Sequence, residues 1–557
     1  MLSINLDDVM QVLTNVRSYL IAFGVVLALA IIVMVAVRKL PKAKKKMIRA
    51  QSGLAILLAL TIVVNLICTG PMSTMLDLVS GSGTINEETS AKATELVNEI
   101  TAEGVVLAKD EDNVLPVASG SKLNVFGWSS TNPCYGGTGS GALNTAYPVT
   151  DLLTGLHDAG IETNEELSKF YTDYKADRPS VGMVEQDWTL PEPNVNLYTD
   201  EMMENAKAFS DTAMVVITRV GGEGADLPTN MKAKGITYNN NSKDYEDFKD
   251  GEHFLQLSQT ERDMIDLVTK NFKKVTLVYN GANAFQFDFL SQYPQIKSVL
   301  WCPPAGQTGF SALGEVLAGD VNPSGKTSDT FAKDLTKTAV FNNTDGTAAG
   351  NASSVGTNGK FTYDNADDLT ASYMGFSGDK VTVTPTFVNY VEGIYVGYKF
   401  YETAADEGLI NYDDTVMFPF GYGLSYTKFG FKNAAVSANE AGSGGLDVTV
   451  DVTNEGSVAG RESVEVYVKA ERENTPNAQL KGLAKVELQP GETKQVKIHL
   501  PLAAFALCNE EGTPIVEAGS YSVYVGASQP DARSVALMGQ APAKLTVTQS
   551  ATQALDL

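Results

Sequence analysis

The stretch "VVITRVGGEGADLP", residues 215–228, joins an apolar run to a cluster of glycines. The apolar run, residues 214–217, shows no alternation of polar and apolar side chains, which is typical of a strand buried on both faces. The glycines that follow surround one carboxylate, Glu223, and glycine allows a sharp turn with open space beside the acid. The stretch therefore fits either an ordinary turn or a catalytic carboxylate at the rim of a site.

Three further apolar runs predict strands of the same kind, at residues 122–127, 273–280 and 296–303. Helical patterns lie between and after these runs, and one of them begins with Ser258 and Glu261 at the spacing of a capping box. Strands that alternate with helices predict an α/β domain whose mainly parallel sheet is covered by helices. We assign this domain to residues 91–431, with a loop-rich insertion at about 335–390 that is dominated by Asn, Thr, Gly, Ser and Asp.

In a parallel sheet of this kind, ligands bind at the carboxyl ends of the strands. Glu223 follows one predicted strand end, and the glycine-serine loop "GGTGSG", residues 136–141, follows another. Ser140 in that loop is a candidate hydroxyl contact for a ligand. The loop lacks both the Lys-Ser/Thr pair of a Walker motif and the GxGxxG spacing, so a nucleotide-binding protein is the less favoured alternative.

The pattern changes at about residue 432, where polar and apolar residues begin to alternate. Segments such as "LDVTVDVTNEG" and "GLAKVELQPGE" combine this period-2 pattern with turn residues. Such a pattern predicts an antiparallel β-sandwich, here at residues 432–548, followed by a short polar tail at 549–557.

Two long apolar runs stand at the N-terminus, at residues 18–37 and 52–69. Each is long enough to cross a bilayer, and the loop between them is rich in Lys and Arg. Because positively charged loops stay in the cytoplasm, we expect a two-helix membrane hairpin, residues 1–70, followed by a linker at 71–90 and by domains outside the cell membrane. A cleaved signal peptide is the alternative; the second run and the absence of a basic start favour the hairpin.

The composition argues against several classes of protein. The chain of 557 residues has a net charge of −24, which argues against a nucleic-acid partner because such proteins carry basic patches. Its 4 cysteines are widely spaced and its 3 histidines stand alone, so we expect no disulfide framework, no metal site and no cofactor.

Six segments occur in the order known from glycoside hydrolase family 3, the family of β-glucosidases and related exo-glycosidases. They are "EGVVLAKDEDNVLPV", "GGTGSG", "GGEGAD", "GQTGFSALGEVLAGDVNPSGKTSDTF", "YVEGIYVGYKFYE" and "FPFGYGLSYTKF". Together with the alternating region after them, they resemble the C-terminal α/β domain and the fibronectin type III-like domain of that family. The resemblance covers about residues 91–548 and implies a retaining glycosidase.

The resemblance implies roles for residues in the two glycine loops. Glu223 corresponds to the general acid/base of many family members, which protonates the departing glycosidic oxygen and then deprotonates water. Arg219 and Asp226 match neighbours in the same loop and are expected, with Ser140, to contact a β-glycoside substrate.

The family's nucleophile is an aspartate on a (β/α)8 barrel, and no matching segment is found in this sequence. Some family members are circularly permuted, with the barrel after the β-sandwich. We therefore expect a barrel half beyond the C-terminus or on a separate chain, and little catalysis by this chain alone. The favoured hypothesis is a membrane-anchored, outward-facing β-glucosidase-like enzyme, and the alternative is a non-catalytic surface module that binds glycans or a partner protein.

Overall fold

The computed structural model describes residues 6–70, 72–73, 86–138, 141–144, 147–182, 186–223, 225–233, 235–343, 361–374 and 380–556. The chain divides into two compact units. One comprises Met1–Ala91 with Ser372–Thr382, and the other comprises Lys92–Ala371 with Val383–Leu557.

The first unit contains two long helices, α1 (Leu6–Ala36) and α2 (Lys42–Thr69), joined by a short 3-10 turn (Val37–Lys39). Both are longer than the predicted apolar runs. In α2 the extension is the lysine- and alanine-rich segment after Pro41, which is itself a good helix former. Two segments, Val16–Lys39 and Lys42–Thr69, are long and apolar enough to cross a membrane, a test that a signal sequence near an N-terminus also passes.

The α/β domain lies in the second unit, except for the start of its first helix, Glu87–Ala91, which belongs to the first. Its elements are α3 (Glu87–Gly104), β1 (Val106–Asp110), β2 (Lys122–Phe126), α4 (Leu152–Asp158), β3 (Glu162–Thr163), α5 (Glu165–Tyr174), α6 (Asp200–Phe209), β4 (Thr212–Arg219), α7 (Gln259–Asn271), β5 (Lys274–Gly281), β6 (Ile296–Cys302) and α8 (Phe310–Ala318). The strands form a six-stranded sheet in the order β1-β6-β5-β4-β2-β3. Strands β2 to β6 pair in parallel and β1 pairs antiparallel with β6, so the predicted mainly parallel sheet is confirmed.

Successive residues of β4 point into two different cores, which explains why its sequence does not alternate. Val215 and Ile217 belong to one core with Met264 of α7, whereas Met214 and Val216 belong to the other, against α4 and α8. Helix α7 begins with the predicted capping box, in which the Ser258 side chain accepts from the Glu261 amide and the Glu261 side chain accepts from the Ser258 amide.

Helices α4 and α8 approach each other backbone to backbone. A Cβ atom on Gly155 would collide with the Phe310 carbonyl, and one on Gly314 would collide with the Gly155 carbonyl. Glycines at these positions therefore allow the two helices to cover the same face of the sheet.

Short elements follow the sheet. They are β7 (Phe331–Ala332), α9 (Ala339–Asn343), β8 (Phe361–Thr362), α10 (Ala366–Leu369), β9 (Ala371–Met374), β10 (Lys380–Val383), β11 (Thr386–Phe387), α11 (Tyr398–Asp406), α12 (Tyr412–Thr415) and β12 (Val416–Phe418). β7 pairs with β12, and the described parts of the predicted insertion contain only short strands and helices.

The last part of the chain is rich in antiparallel strands. Its elements are β13 (Phe429–Val436), β14 (Leu446–Asn454), β15 (Gly460–Ala470), β16 (Gln479–Leu488), β17 (Thr493–Leu500), β18 (Leu507–Cys508), β19 (Pro514–Val516), β20 (Gly519–Gly526), α13 (Ala532–Met538), β21 (Ala543–Gln549) and β22 (Gln553–Ala554). Sheets β13-β14-β17 and β16-β15-β20-β21 share one hydrophobic core. The predicted polar tail contains β22, which pairs with β19 and so completes the three-stranded sheet β18-β19-β22.

The remaining short helices are 3-10 turns at Trp128–Ser130, Val195–Leu197, Asp288–Gln292, Leu335–Lys337, Gly393–Tyr395 and Leu502–Phe505.

Candidate active site

Glu223 lies in a tight turn directly after the carboxyl end of β4. Gly222 and Ala225 close this turn: the Gly222 amide donates to the Ala225 carbonyl at 3.4 Å, and the Ala225 amide donates to the Gly222 carbonyl at 3.0 Å. The Glu223 side chain is exposed. The chain thus turns tightly between Gly222 and Ala225 and leaves Glu223 exposed.

The glycine-serine loop contacts this turn, as their positions at neighbouring strand ends predict. The buried Thr138 hydroxyl donates to the Glu223 carbonyl at 2.9 Å. A Cβ atom on Gly222 would lie 2.6 Å from the Thr138 amide nitrogen, so the two loops can touch only because Gly222 has no side chain. Ser140, the predicted hydroxyl contact, lies outside the described residues.

Arg219 ends β4 and is buried, with only 1% of its side chain exposed. Its five N–H groups all donate within the protein. Nε donates to the Phe254 carbonyl, one Nη atom to the Thr218 carbonyl and Glu261, and the other to the Gln256 carbonyl and Glu261. This geometry does not favour the predicted direct contact between Arg219 and a substrate. It makes Arg219 the residue that fixes the start of the Glu223 turn.

Arg178 is a residue near this strand end that the sequence reasoning did not single out. One of its Nη atoms donates to the Thr218 hydroxyl at 2.7 Å and to the Asn132 carbonyl. The guanidinium lies over the Trp128 ring, 5.0 Å from its centroid. Burial lowers the pKa of Arg178 to about 10, and the neighbouring Arg219 contributes in the same direction. No local sequence pattern around residue 178 predicts these contacts, because the residues that Arg178 touches are distant in sequence.

A cleft of about 780 Å³ opens beside the turn. One wall is formed by the turn itself and includes the exposed Asp226. Residues 282–284, which follow β5, form another wall, and Phe341, Phe400 and Tyr401 supply aromatic surface. The cleft thus lies at the carboxyl ends of β4 and β5, where sheets of this kind bind ligands.

The cleft offers two kinds of contact to a ligand. Asp226, Asp329 and Glu392 place carboxylates in its lining, and burial raises the pKa of Asp329. The aromatic side chains offer flat apolar faces. Polar groups beside aromatic faces suit a sugar ring, which has hydroxyl edges and apolar C–H faces. Glu223 is exposed on the loop that forms one wall.

Comparisons with known proteins identify two domains in this chain. The glycosyl hydrolase family 3 C-terminal domain matches residues 105–426, and the fibronectin type III-like domain matches residues 462–529. Beta-glucosidase A of Butyrivibrio fibrisolvens is 31% identical over 80% of this chain and 50% of its own length. An exo-alpha-(1->6)-L-arabinopyranosidase of Bifidobacterium breve is 28% identical over 78% of this chain and 47% of its own length.

The fold comparison points the same way. The structure of beta-glucosidase 3B from Thermotoga neapolitana in complex with glucose has a TM-score of 0.62 and 28% identity, and the match covers 85% of this chain and 55% of that one. The chain spans about half the length of the curated relatives that it matches. The matched domain, the order of its sheet and the relatives together identify this chain as a member of glycoside hydrolase family 3.

Proposed function

We propose that this chain is the acid/base half of a membrane-anchored, extracytoplasmic, retaining glycosidase of the β-glucosidase type. The observation that carries the proposal is the turn that holds an exposed Glu223 beside the cleft at the strand ends. The family and its β-glucosidase relatives support the reaction class.

Glu223 is the proposed general acid/base. In the first step its carboxyl protonates the glycosidic oxygen as the aglycone leaves, and in the second its carboxylate takes a proton from the attacking water. The Thr138 hydroxyl bound to the Glu223 carbonyl and the buried Arg219 hold the turn in place. Asp226, exposed at the cleft, is the proposed contact for a sugar hydroxyl.

The nucleophile belongs, in our proposal, to a (β/α)8 barrel half that faces Glu223, either in cis or in trans. A retaining mechanism requires the two carboxyl groups to lie about 5–5.5 Å apart. An exposed acid at the tip of a turn suits this division, because it can reach a bond that another domain holds.

The proposed substrate is a β-glycoside with a terminal sugar, and glucose is the first candidate because the relatives include β-glucosidases. An α-L-arabinopyranoside is a second candidate, because the relatives also include an exo-alpha-(1->6)-L-arabinopyranosidase. The hairpin at residues 1–70 is proposed to hold the domains at the outer face of the cell membrane.

The test combines the full chain in detergent with the barrel half and an aryl β-glucoside. Glu223→Gln should lower kcat about 10²–10⁴-fold, the usual range for removal of a general acid/base. Glu223→Ala should recover turnover with azide and form a β-glycosyl azide, because the anion needs no base when it attacks the covalent intermediate. Glu204→Gln, an exposed acid on α6, is the matched control and should keep full activity. Full activity of Glu223→Gln would disprove the assignment.

A second candidate function is glycan binding without catalysis. The aromatic wall at Phe341, Phe400 and Tyr401 favours it, since this surface is complete within the chain. Titration of the full chain with cello-oligosaccharides, in the absence of a barrel, distinguishes the two. Tight binding that Tyr401→Ala abolishes, together with no turnover when a barrel is added, would favour the binding module.

A further inference from the structure

A second cavity lies between the α/β domain and the β-sandwich, remote in sequence from the Glu223 turn. Its volume is about 360 Å³. Helices α11 and α12 line one side, and strands β15 and β20 with the start of α13 line the other. Both parts belong to the same compact unit.

Two buried side chains in its lining have acceptor oxygens without a donor. Glu402 is 5% exposed; its Oε1 accepts from the Tyr412 hydroxyl at 2.7 Å and from Gln529 Nε2 at 3.1 Å. Its Oε2 accepts no hydrogen bond from another residue. Gln529 is 1% exposed and donates to Glu402 and to the Phe420 carbonyl, which leaves its own Oε1 without a partner. A ligand that satisfies these oxygens must bring positive charge or donors.

The charges around the cavity also lack balance. Four carboxylates line it (Glu402, Asp406, Asp413 and Asp531), against the cations Lys469 and Arg533. Lys469 pairs with Asp406 at 3.5 Å and Arg533 pairs with Asp413 at 3.2 Å. The two remaining carboxylates, Glu402 and Asp531, have no cationic partner in this lining and leave a net charge of −2.

Asp531 adds a third oxygen of this kind. Its Oδ1 accepts from the Ser534 amide at 2.8 Å at the start of α13, whereas its Oδ2 accepts no hydrogen bond.

We propose that this cavity is a calcium site in which Glu402, Gln529 and Asp531 bind the ion together with water. The donors are carboxylate and amide oxygens, the ligands that Ca²⁺ prefers, and the cavity leaves room for the water that an irregular shell needs. A charge of +2 matches the unbalanced charge of the lining. The proposal does not depend on the proposed glycosidase function.

The site is expected to bind weakly. Within the described ranges, no three or more His, Cys, Asp and Glu side chains form a metal-holding group, so water must complete the shell. We expect a dissociation constant of about 10⁻⁴–10⁻³ M, the weak end of the range for calcium sites in proteins, because few charged ligands are present. The ion would join α11 to the segment that leads into α13, and it would thereby stabilise the contact between the two domains.

The test uses the full chain in detergent after removal of metal ions with a chelating resin. Added CaCl₂ should raise the melting temperature in a saturable way, as expected for a ligand that binds only the folded state. Tb³⁺ is a second probe: Tyr412 and Tyr524 line the cavity and should sensitise its luminescence, which Ca²⁺ should quench by displacement.

Three variants make the test specific. Glu402→Gln should weaken calcium binding at least about tenfold, since even the loss of a residue that only supports a ligand costs about 10–100-fold in metal affinity. Asp531→Asn should act similarly while it keeps the cap of α13, since Asn caps a helix as well as Asp. Glu407→Gln, an exposed acid just after α11, is the matched control and should bind like the original chain. The proposal is overturned if CaCl₂ gives no shift, if both cavity variants respond like the control, or if putrescine or NaCl at equal ionic strength gives the same shift.

Discussion

At the scale of the residue, the buried ion pair between Arg219 and Glu261 links the strand end to helix α7. The two Arg219–Glu261 contacts are 2.9 and 2.7 Å long, and Glu261 also accepts from the Ser258 amide at 2.8 Å. Removing one partner of a buried pair leaves the other charged and unsolvated, which costs far more than the pair contributes. The position of the Glu223 turn therefore depends on a contact to a residue 42 positions away.

Arg219→Met tests this link. We expect the free energy of unfolding to fall by about 3–5 kcal/mol, because the Glu261 carboxylate stays buried without its partner. Denaturant unfolding in detergent, followed by tryptophan fluorescence, measures the change. The double variant Arg219→Met with Glu261→Met should lose less than Arg219→Met alone. Lys273→Met, at an exposed position, is the control and should change the free energy of unfolding by no more than about 0.5 kcal/mol. If Arg219→Met and Lys273→Met changed this free energy equally, the proposed link would be wrong.

At the scale of the element, strand β15 carries polar groups into the contact between the sandwich and the α/β domain. Glu462 pairs with Lys326 at 3.1 Å, and the buried Glu465 accepts from the Tyr467 hydroxyl at 2.6 Å. Gly421, in the segment "FPFGYGLSY", has a φ of 73°, and a Cβ atom there would press on Glu465 and Tyr467. The glycine lets this segment lie directly against β15.

The burial of Glu465 predicts a dependence of stability on pH. Burial raises the pKa of this carboxyl from 4.5 to about 8. A group with a raised pKa stabilises the folded state fully below its unfolded pKa, and this contribution is lost as the pH rises through the folded pKa. The free energy of unfolding should therefore fall between pH 4.5 and about 8, by up to about 1.4 kcal/mol per pH unit.

Glu465→Gln removes this titration and should flatten the slope. The slope is measured as the difference between the free energies of unfolding at about pH 5 and about pH 8, because most of the titration of Glu465 lies between these values. Glu473→Gln, an exposed acid beyond the end of β15, should keep the slope of the original chain. The same slope in Glu465→Gln and in the control would show that other groups cause the pH dependence.

At the scale of the whole molecule, the order of helices and domains along the chain is the basis for the proposed location outside the cell membrane. The two apolar helices precede the α/β domain and the sandwich. The basic residues between the two apolar runs, most of them in the first turns of α2, favour the cytoplasmic side. Under this proposal, both folded domains lie outside the cell membrane, where a glycosidase would meet external substrates.

Cysteine labelling in intact cells tests this orientation. Cys508 is exposed on the sandwich and should react with a maleimide that cannot cross membranes. In a Cys508→Ser background, Lys45→Cys places a thiol in the basic segment and should react only after the membrane is permeabilised. Extraction with carbonate should leave the chain in the membrane fraction. Labelling of Lys45→Cys in intact cells, or release of the chain as a soluble product, would contradict the anchored hairpin.

The sequence alone determined the local features of this protein. Runs apolar on both faces specified the strands of the parallel sheet, the spacing of Ser258 and Glu261 specified the start of α7, and the alternating pattern after residue 432 specified antiparallel strands. These signals act over a few residues, so backbone propensity and turn chemistry are enough to predict them. The ordered motifs added Glu223 as the acid/base candidate.

The tertiary structure decided which distant side chains meet. It turned Arg219 inward to Glu261, set Thr138 against the turn of Glu223, and enclosed Glu402 with Gln529 in a cavity at the domain contact. Local sequence propensity cannot predict such pairs, because the two residues of each pair lie 42 to 127 positions apart in the chain. The cost of burying a charged group also arises only when the helices and sheets pack together.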